Sequence, residues 1–428
     1  MGKIDILVVG AGGREHALVW KISQSRLAGK IFCAPGNAGI AEIAECVPID
    51  VENVSGLLEF AKKKKIGLTI VGPEAPLVKG IVDEFQKNGL KVFGPSKNAA
   101  MLEGSKAFAK KLMQDIRVPT ASFQVVTEID EALELVQTMD KAVIKADGLA
   151  AGKGVFVCTS KSQILDAVNK ILRDRIFDHA GERAIIEELL EGEEASVLAF
   201  CDGENVSLMP SAQDHKRVFD NDKGENTGGM GAYSPAPVIT PALEKEILEK
   251  IMIPVVREMK KHGTPYVGVL YAGLMITKTG PKVLEFNARF GDPETQVILP
   301  RLESDLVEIM LSCIDGKLAK QEIKWNKKAV TCVVLVSGGY PNKYDKGKKI
   351  SGLDKLVGAK GILVFHAGTM IGQKAEILSN GGRVLGVTGL GLTVKGSIAK
   401  AYEGVSKISF EKMHFRKDIG KKALERAK

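Results

Sequence analysis

Aromatic residues make up only 5% of the 428 residues, with two tryptophans, so the chain offers little of the stacking surface that single-stranded nucleic acid needs. The six cysteines (Cys33, Cys46, Cys158, Cys201, Cys313 and Cys332) form no Cys-x-x-Cys pair and no metal-ligand spacing. Most lie in apolar runs, where a free thiol packs as a small hydrophobe, and a reducing cytoplasm is the expected compartment. The six histidines show no ligand pairing either. No stretch approaches the ~20 apolar residues of a membrane span. The opening Met1-Gly2-Lys3-Ile4-Asp5 places an acid early and lacks the apolar core of a signal peptide. The net charge of +8 is not gathered into one stripe. Its basic runs, at 62–65, 346–349 and 412–428, are scattered, which argues against a nucleic-acid footprint and suits anionic small molecules.

What is present is a globular composition, 45% hydrophobic and 26% charged, with 46 glycines. At ~100–200 residues per domain this length predicts two to four domains. The first hundred residues alternate short apolar runs closing on Gly or Pro (Ile4 to Val9, Ile31 to Ala34, Leu68 to Val71, Val92 to Phe93) with helical patterns at 54–64 and 77–88. That is a βαβ series, hence an open parallel sheet with ligands at the carboxyl ends of its strands. Beyond it the expected units are 105–190 (strands at 143–145, 155–158 and 184–187), a strand-rich α+β unit at 191–325, and a small β-rich unit at 326–428, the first unit being 1–104. The fold class is therefore α/β and α+β, multidomain.

Five segments carry chemistry. Gly10-Ala11-Gly12-Gly13-Arg14-Glu15-His16 follows a strand and opens a helix, so its amides can cradle a phosphate. A dinucleotide fingerprint needs a glycine where Glu15 stands and an acid after the second strand, which here runs into Pro35-Gly36-Asn37, so a phosphorylated sugar fits better than NAD. The run from Lys145 to Val155 is glycine-rich but is not a P-loop, because Gly154 replaces the Ser/Thr. It predicts a hairpin cover whose Gly152 lets backbone approach a polyphosphate, with Lys145 and Lys153 as point charges, closing over the bound nucleotide. Ile185 to Glu194 is an apolar strand entering an acidic linker, a pattern that suits adenine and ribose recognition as well as it suits a surface loop. In Lys282 to Gln296, a period of two places Leu284, Phe286, Ala288 and Phe290 on a core face and Glu285, Asn287 and Arg289 on the other. Oxygen donors at i and i+2 suit Mg²⁺, Arg289 then faces an anion, and Asp292 adds a carboxylate at the same end. The polar stretches 213–217 and 226–231 read as a functional loop.

Together these segments resemble the ATP-grasp ligases, and within them the glycinamide ribonucleotide synthetases, over essentially the whole chain; the run Arg289 to Gln296 is the most specific part of the likeness. The resemblance implies that glycine and 5-phosphoribosylamine are joined at the expense of ATP, through glycyl phosphate, in purine biosynthesis. It implies Glu187, Glu188, Leu189 and Leu190 at the adenine, Glu194 at the ribose, and Lys106, Lys145, Arg217 and Asn226 elsewhere on the nucleotide. Glu285 and Asn287 are the implied ligands of Mg²⁺ or Mn²⁺; Gly12, Gly13 and Asn37 are expected near the sugar phosphate, and Asp214 and Arg289 near glycine. Arg289, Asp292 and Asp214 are the expected catalytic set. Many ATP-grasp enzymes carry a further acidic ligand on the preceding strand, and Tyr271-Ala272-Gly273-Leu274-Met275 has none, so the phosphates should hold the metal more than the protein does. The implied partners are small molecules, with transient contact to other purine enzymes suggested by the instability of phosphoribosylamine. Neither a nucleic acid nor a membrane is expected. The rival readings are another ATP-grasp carboxylate–amine ligase and, from another class, a NAD-dependent oxidoreductase built on the first loop.

Overall fold

The computed structural model describes residues 2–150 and 153–426. Ile4–Gly10 is buried along most of its length and sits at the centre of a five-stranded parallel sheet, in the order Glu45–Cys46, Ala28–Pro35, Ile4–Gly10, Leu68–Val71, Val92–Phe93. A strand covered on both faces needs this unbroken apolar run. The loops 10–16, 35–39 and 72–76 each leave a carboxyl end of this sheet. The single helix expected over 77–88 is instead two, Glu74–Lys79 and Ile81–Lys87. Gly80 at φ +91° separates them, a left-handed turn that an apolar periodicity does not reveal.

Residues 123–187 build a four-stranded antiparallel sheet, in the order Phe123–Val126, Ala184–Glu187, Ala142–Ala146, Val155–Cys158, over a core of its own that includes Ile144, Ile164 and Ile171. A second antiparallel sheet carries Glu193–Asp202, Val267–Thr277 and Gly280–Asn287. A third joins Gln213–Asp214 and Gly231–Ser234 to Ala329–Val336, Arg383–Gly391 and Ile362–His366. The polar loop of residues 213–231 is thus anchored at both ends in the same sheet as the C-terminal strands. Two apolar cores bind the units together: Val9 and Leu77 share one with Leu270 and Phe286, and Ile6 and Leu18 share the other with Phe200, Phe290 and Cys332. Among the described residues no helix is long and apolar enough to cross a membrane.

The first loop meets the C-terminal strands at a buried histidine pair. The His366 amide donates to His16 Nδ1 at 2.8 Å, and the rings lie 5.6 Å apart. Asn37 closes the same junction: its amide donates to Ala11 O and His366 O, each at 2.8 Å, while its oxygen accepts from the Gly39 and Ile40 amides. Burial, with repulsion from the His366 ring, pushes His16 down to about 3, and burial pushes His366 down to about 4. Both values lie below the ~6.5 of an exposed imidazole, so the neutral pair stabilises the fold fully above that pH, and the contribution is lost as pH falls toward 4 and then 3. Thermal midpoints measured from pH 7.5 to pH 4.5 should drop less steeply in His16→Asn, which keeps an acceptor near the Nδ1 position without a titrating ring. Parallel curves for the two proteins would refute this assignment.

Candidate functional site

The sheets enclose a cleft of about 1160 Å³. Its walls include Lys106, Lys145, Glu187, Glu188, Leu189, Leu190, Glu194, Asp214, Arg217, Asn226, Glu285, Asn287, Arg289 and Asp292. Residues 186 positions apart in sequence, such as Glu103 and Arg289, are thus brought to one surface. Of the remaining expected residues, Gly152 lies outside the described residues, Lys153 is exposed beyond the cleft wall, and Gly12, Gly13 and Asn37 lie behind it.

At one end Glu187, the last residue of Ala184–Glu187 and 2% exposed, sits between two ammonium groups. Lys145 Nζ is 3.0 Å from Oε1 and Lys110 Nζ is 3.0 Å from Oε2. Lys145 also donates to Leu284 O at 3.0 Å, and Lys106 donates to the carbonyls of Ala146 and Gly148, each at 2.9 Å. The linker is tied down beyond Glu187, because Glu188 accepts from the Ser122 amide at 3.0 Å and pairs with Lys282 at 3.2 Å. Leu189 and Leu190 add apolar wall next to this charged group.

The middle of the cleft is acidic. Lys216 bridges Glu194 at 3.1 Å and Glu285 at 3.9 Å. Burial pushes Glu285 up, but the charges of Lys216, Lys145 and Lys106 outweigh it and hold the carboxyl below its ordinary range. Asp214 is pushed up to about 8 by burial, opposed by Lys216 and reinforced by Glu294, Glu194 and Glu285. Glu294 is fixed by the Ser196 hydroxyl at 2.9 Å and the Tyr271 hydroxyl at 2.7 Å. Asn287 lies two residues beyond Glu285, with its amide oxygen in the same cleft. Among the described residues no cluster of three Asp, Glu, His or Cys side chains could hold a metal. One ionised carboxylate and one amide oxygen therefore suit a hard divalent cation that draws its other ligands from phosphate and water.

The alternation expected from 284 to 290 holds for Phe286, Ala288 and Phe290 and fails at Leu284. A bulge pairs Gly273 with Glu285 but Leu274 with Val283, so Leu284 turns toward the cleft, and the strand ends at Asn287. Arg289 stands beyond that end. Its guanidinium, expected to face a substrate anion, is occupied by Glu103 at 2.8 Å, Glu74 at 3.1 Å, Asn287 Oδ1 and Phe290 O, each of the last two at 3.3 Å. These contacts leave one of the two Nη1 hydrogens for a ligand. Asp292 likewise pairs with Arg383 at 3.1 Å and accepts from Gln296 at 2.8 Å. In the first loop Glu15 accepts from the Gly12 amide at 2.6 Å and pairs with Arg14 at 2.5 Å, filling the space over Gly10 and Gly72. A carboxylate of the protein thus occupies part of the helix terminus expected to take a phosphate. Lys110, Glu74, Glu103, Arg14, Arg383 and Lys216 also line the cleft and were not selected from sequence. Of these, Arg14 and Lys216 lie inside stretches that the sequence pattern singles out.

Models of the phosphoribosylglycinamide synthetase domains match the chain in order: the N domain over residues 4–103, the ATP-grasp (A) domain over 104–295 and the C domain over 330–422. The chain is 52% identical over 417 residues to a phosphoribosylamine–glycine ligase of Caldanaerobacter subterraneus subsp. tengcongensis, covering 97% of this chain and 99% of the relative. It is 50% identical over 429 residues to the phosphoribosylamine–glycine ligase of Escherichia coli K12, covering 99% of each. Among solved structures, the phosphoribosylamine–glycine ligase of Thermotoga maritima superposes with a TM-score of 0.85 at 33% identity, covering 97% of this chain and all of that one.

The Arg289 cluster sets a stability test. Burial raises Glu103 to about 7 despite the nearby Arg289, whereas Glu74 is held at about 2 because Arg289 and Arg14 outweigh its burial. Arg289→Met removes the cation that touches both carboxylates, and breaking such a buried pair costs ~3–5 kcal/mol. Urea unfolding should show that loss at pH 8 and a smaller one at pH 5.5, where Glu103 takes up a proton. A variant as stable as the parent at both pH values would mean that Arg289 does not neutralise the pair.

Proposed function

The chain belongs to the phosphoribosylglycinamide synthetase family of ATP-grasp ligases, and from that premise we propose how its cleft divides the work. The enzyme joins glycine to 5-phosphoribosylamine, with ATP converted to ADP and phosphate, and so forms the carbon–nitrogen bond of glycinamide ribonucleotide. The reading of the site rests on one observation: Glu285 and Asn287 share a cleft with Lys106, Lys145 and the Glu187 to Leu190 linker. Adenine stacks along Leu189 and Leu190 with its amino group toward Glu187, and Glu194 takes the ribose hydroxyls. Lys106 and Lys145 meet the phosphates, and Arg217 and Asn226 border them.

Glycine binds with its ammonium toward Asp214. Burial, reinforced by its acidic neighbours, holds that carboxyl neutral, and an arriving cation draws off its proton. A glycine carboxylate oxygen attacks the γ-phosphorus, the bond to ADP breaks, and glycyl phosphate results. The ribosylamine nitrogen then attacks the acyl carbon, releases a proton and expels phosphate. No protein nucleophile is required, so catalysis consists of placement, charge neutralisation and exclusion of water from the acyl phosphate. Glu285 and Asn287 would hold Mg²⁺ or Mn²⁺, which when bound neutralises charge on the transferring phosphoryl group. Arg289 acts mainly by fixing the end of that strand, with its free Nη1 hydrogen toward the reacting anion, and Asp292 orients Arg383. The sugar phosphate is placed toward the Gly12–Gly13 turn, beside Arg14, with Asn37 holding the turn in place. Six free thiols suit a reducing cytoplasm, and direct transfer from a neighbouring purine enzyme would shield the labile amine.

The double variant Glu285→Ala/Asn287→Ala should lose ~100-fold or more of its ADP formation, a loss typical of removing charge stabilisation, while its circular dichroism and thermal midpoint persist. In the parent, sustained ADP release should require both glycine and phosphoribosylamine. Parent-level turnover by the double variant would refute the metal assignment.

A further inference from the structure

Lys110 has no part in the reading above, yet it is 2% exposed and forms part of the cleft wall. It lies one helical turn after Lys106 on Lys106–Asp115. Its ammonium is 3.0 Å from Glu187 Oε2 and donates to the Thr120 hydroxyl at 2.7 Å, and that hydroxyl donates to Val283 O at 2.6 Å. The Phe123 ring lies 5.7 Å from the same nitrogen. Glu187 therefore faces two ammonium groups, and one carboxylate cannot neutralise both. Lys145 lies 3.0 Å from Oε1 but off the hydrogen-bonding direction, and among the described residues that oxygen accepts no hydrogen bond. Without Lys110, Lys145 and Glu187 would form a closed neutral pair. With it, the group carries a surplus of one positive charge, and the contact of Lys110 with Oε2 leaves Oε1 and Lys145 free to change partners.

We propose that Lys110 is a positioning residue for the nucleotide: by sharing Glu187 it keeps Lys145 available to the phosphates and Oε1 available to the base. This rests on the reading that the cleft binds ATP. A buried ion pair is held by desolvation as well as by Coulomb attraction, so removing the second lysine tightens the grip of Glu187 on Lys145. Lys110 acts through Glu187 and Lys145 and touches no reacting atom.

The test is Mg-ADP affinity by titration calorimetry, with KM for ATP and kcat measured alongside. Lys110→Met should weaken Mg-ADP binding and raise KM by about tenfold or more, with a smaller change in kcat. Lys110→Arg, which restores the charge, should recover most of the loss. The deciding protein is Lys110→Met/Glu187→Gln. Neutralising Glu187 returns the surplus charge to Lys145 while keeping an amide acceptor for the base, so the double variant should bind Mg-ADP more tightly than Lys110→Met alone. A residue that served only to pack the helix would give a double variant at least as weak as the single one, and that result would overturn the proposal. So would unchanged affinity in Lys110→Met. If Lys110→Met does not fold, the comparison of Lys110→Arg with the parent and of the double variant with Glu187→Gln decides: affinity kept in both supports the charge role, and affinity lost in either overturns it. Failure of the parent itself to bind Mg-ADP would instead refute the nucleotide reading.

Discussion

The site depends on how Arg289 is neutralised. Its guanidinium joins Glu74, from the third loop of the parallel sheet, to Glu103, just before the antiparallel unit, and to Asn287 at the end of the central strand. Glu103 also accepts from the Ala288 amide at 2.7 Å, and Arg14 donates to Phe290 O at 3.2 Å. The end of the strand that carries Glu285 and Asn287 is thereby fixed against the N-terminal unit by charge-assisted hydrogen bonds, which are short and directional. Apolar packing alone holds sheets together but does not set a side chain to within half an ångström. The shared cores supply cohesion, and this cluster supplies register.

Most of the scaffold was legible because it obeys local rules. The short apolar runs that close on glycine or proline are the parallel strands, and the spacing of Glu285 and Asn287 put both in the cleft. The unread features are those that no local pattern encodes. Glu103 and Arg289 are 186 positions apart, and nothing in either segment announces the other. Lys110 sits in Lys-Ala-Phe-Ala-Lys-Lys, where the pattern suggests a solvated helix face, and only the tertiary fold makes it buried. The bulge at Leu284 shifted the period of two by one residue, because a strand's register depends on its partner as well as on its own sequence. Asn37 looked like a phosphate-loop residue, and its side chain instead stitches the loop to the C-terminal strands.

The cleft's internal pairing also explains how so many charges are tolerated in one enclosed space. Lys106 rests on two carbonyls, Lys145 on a carbonyl beside a carboxylate, and Lys216 between Glu194 and Glu285. Each of these three cations has a protein partner, and none is desolvated alone. Binding then exchanges partners within a fixed polar frame, so little reorganisation remains when phosphoryl charge develops. The same logic accounts for the neutral Asp214. Lys216, Lys145 and Lys106 hold Glu285 ionised, whereas burial and three acidic neighbours keep the proton on Asp214. An arriving ammonium group removes that penalty by drawing off the proton, so the neutral Asp214 is a carboxyl that ionises only when a cation is placed beside it.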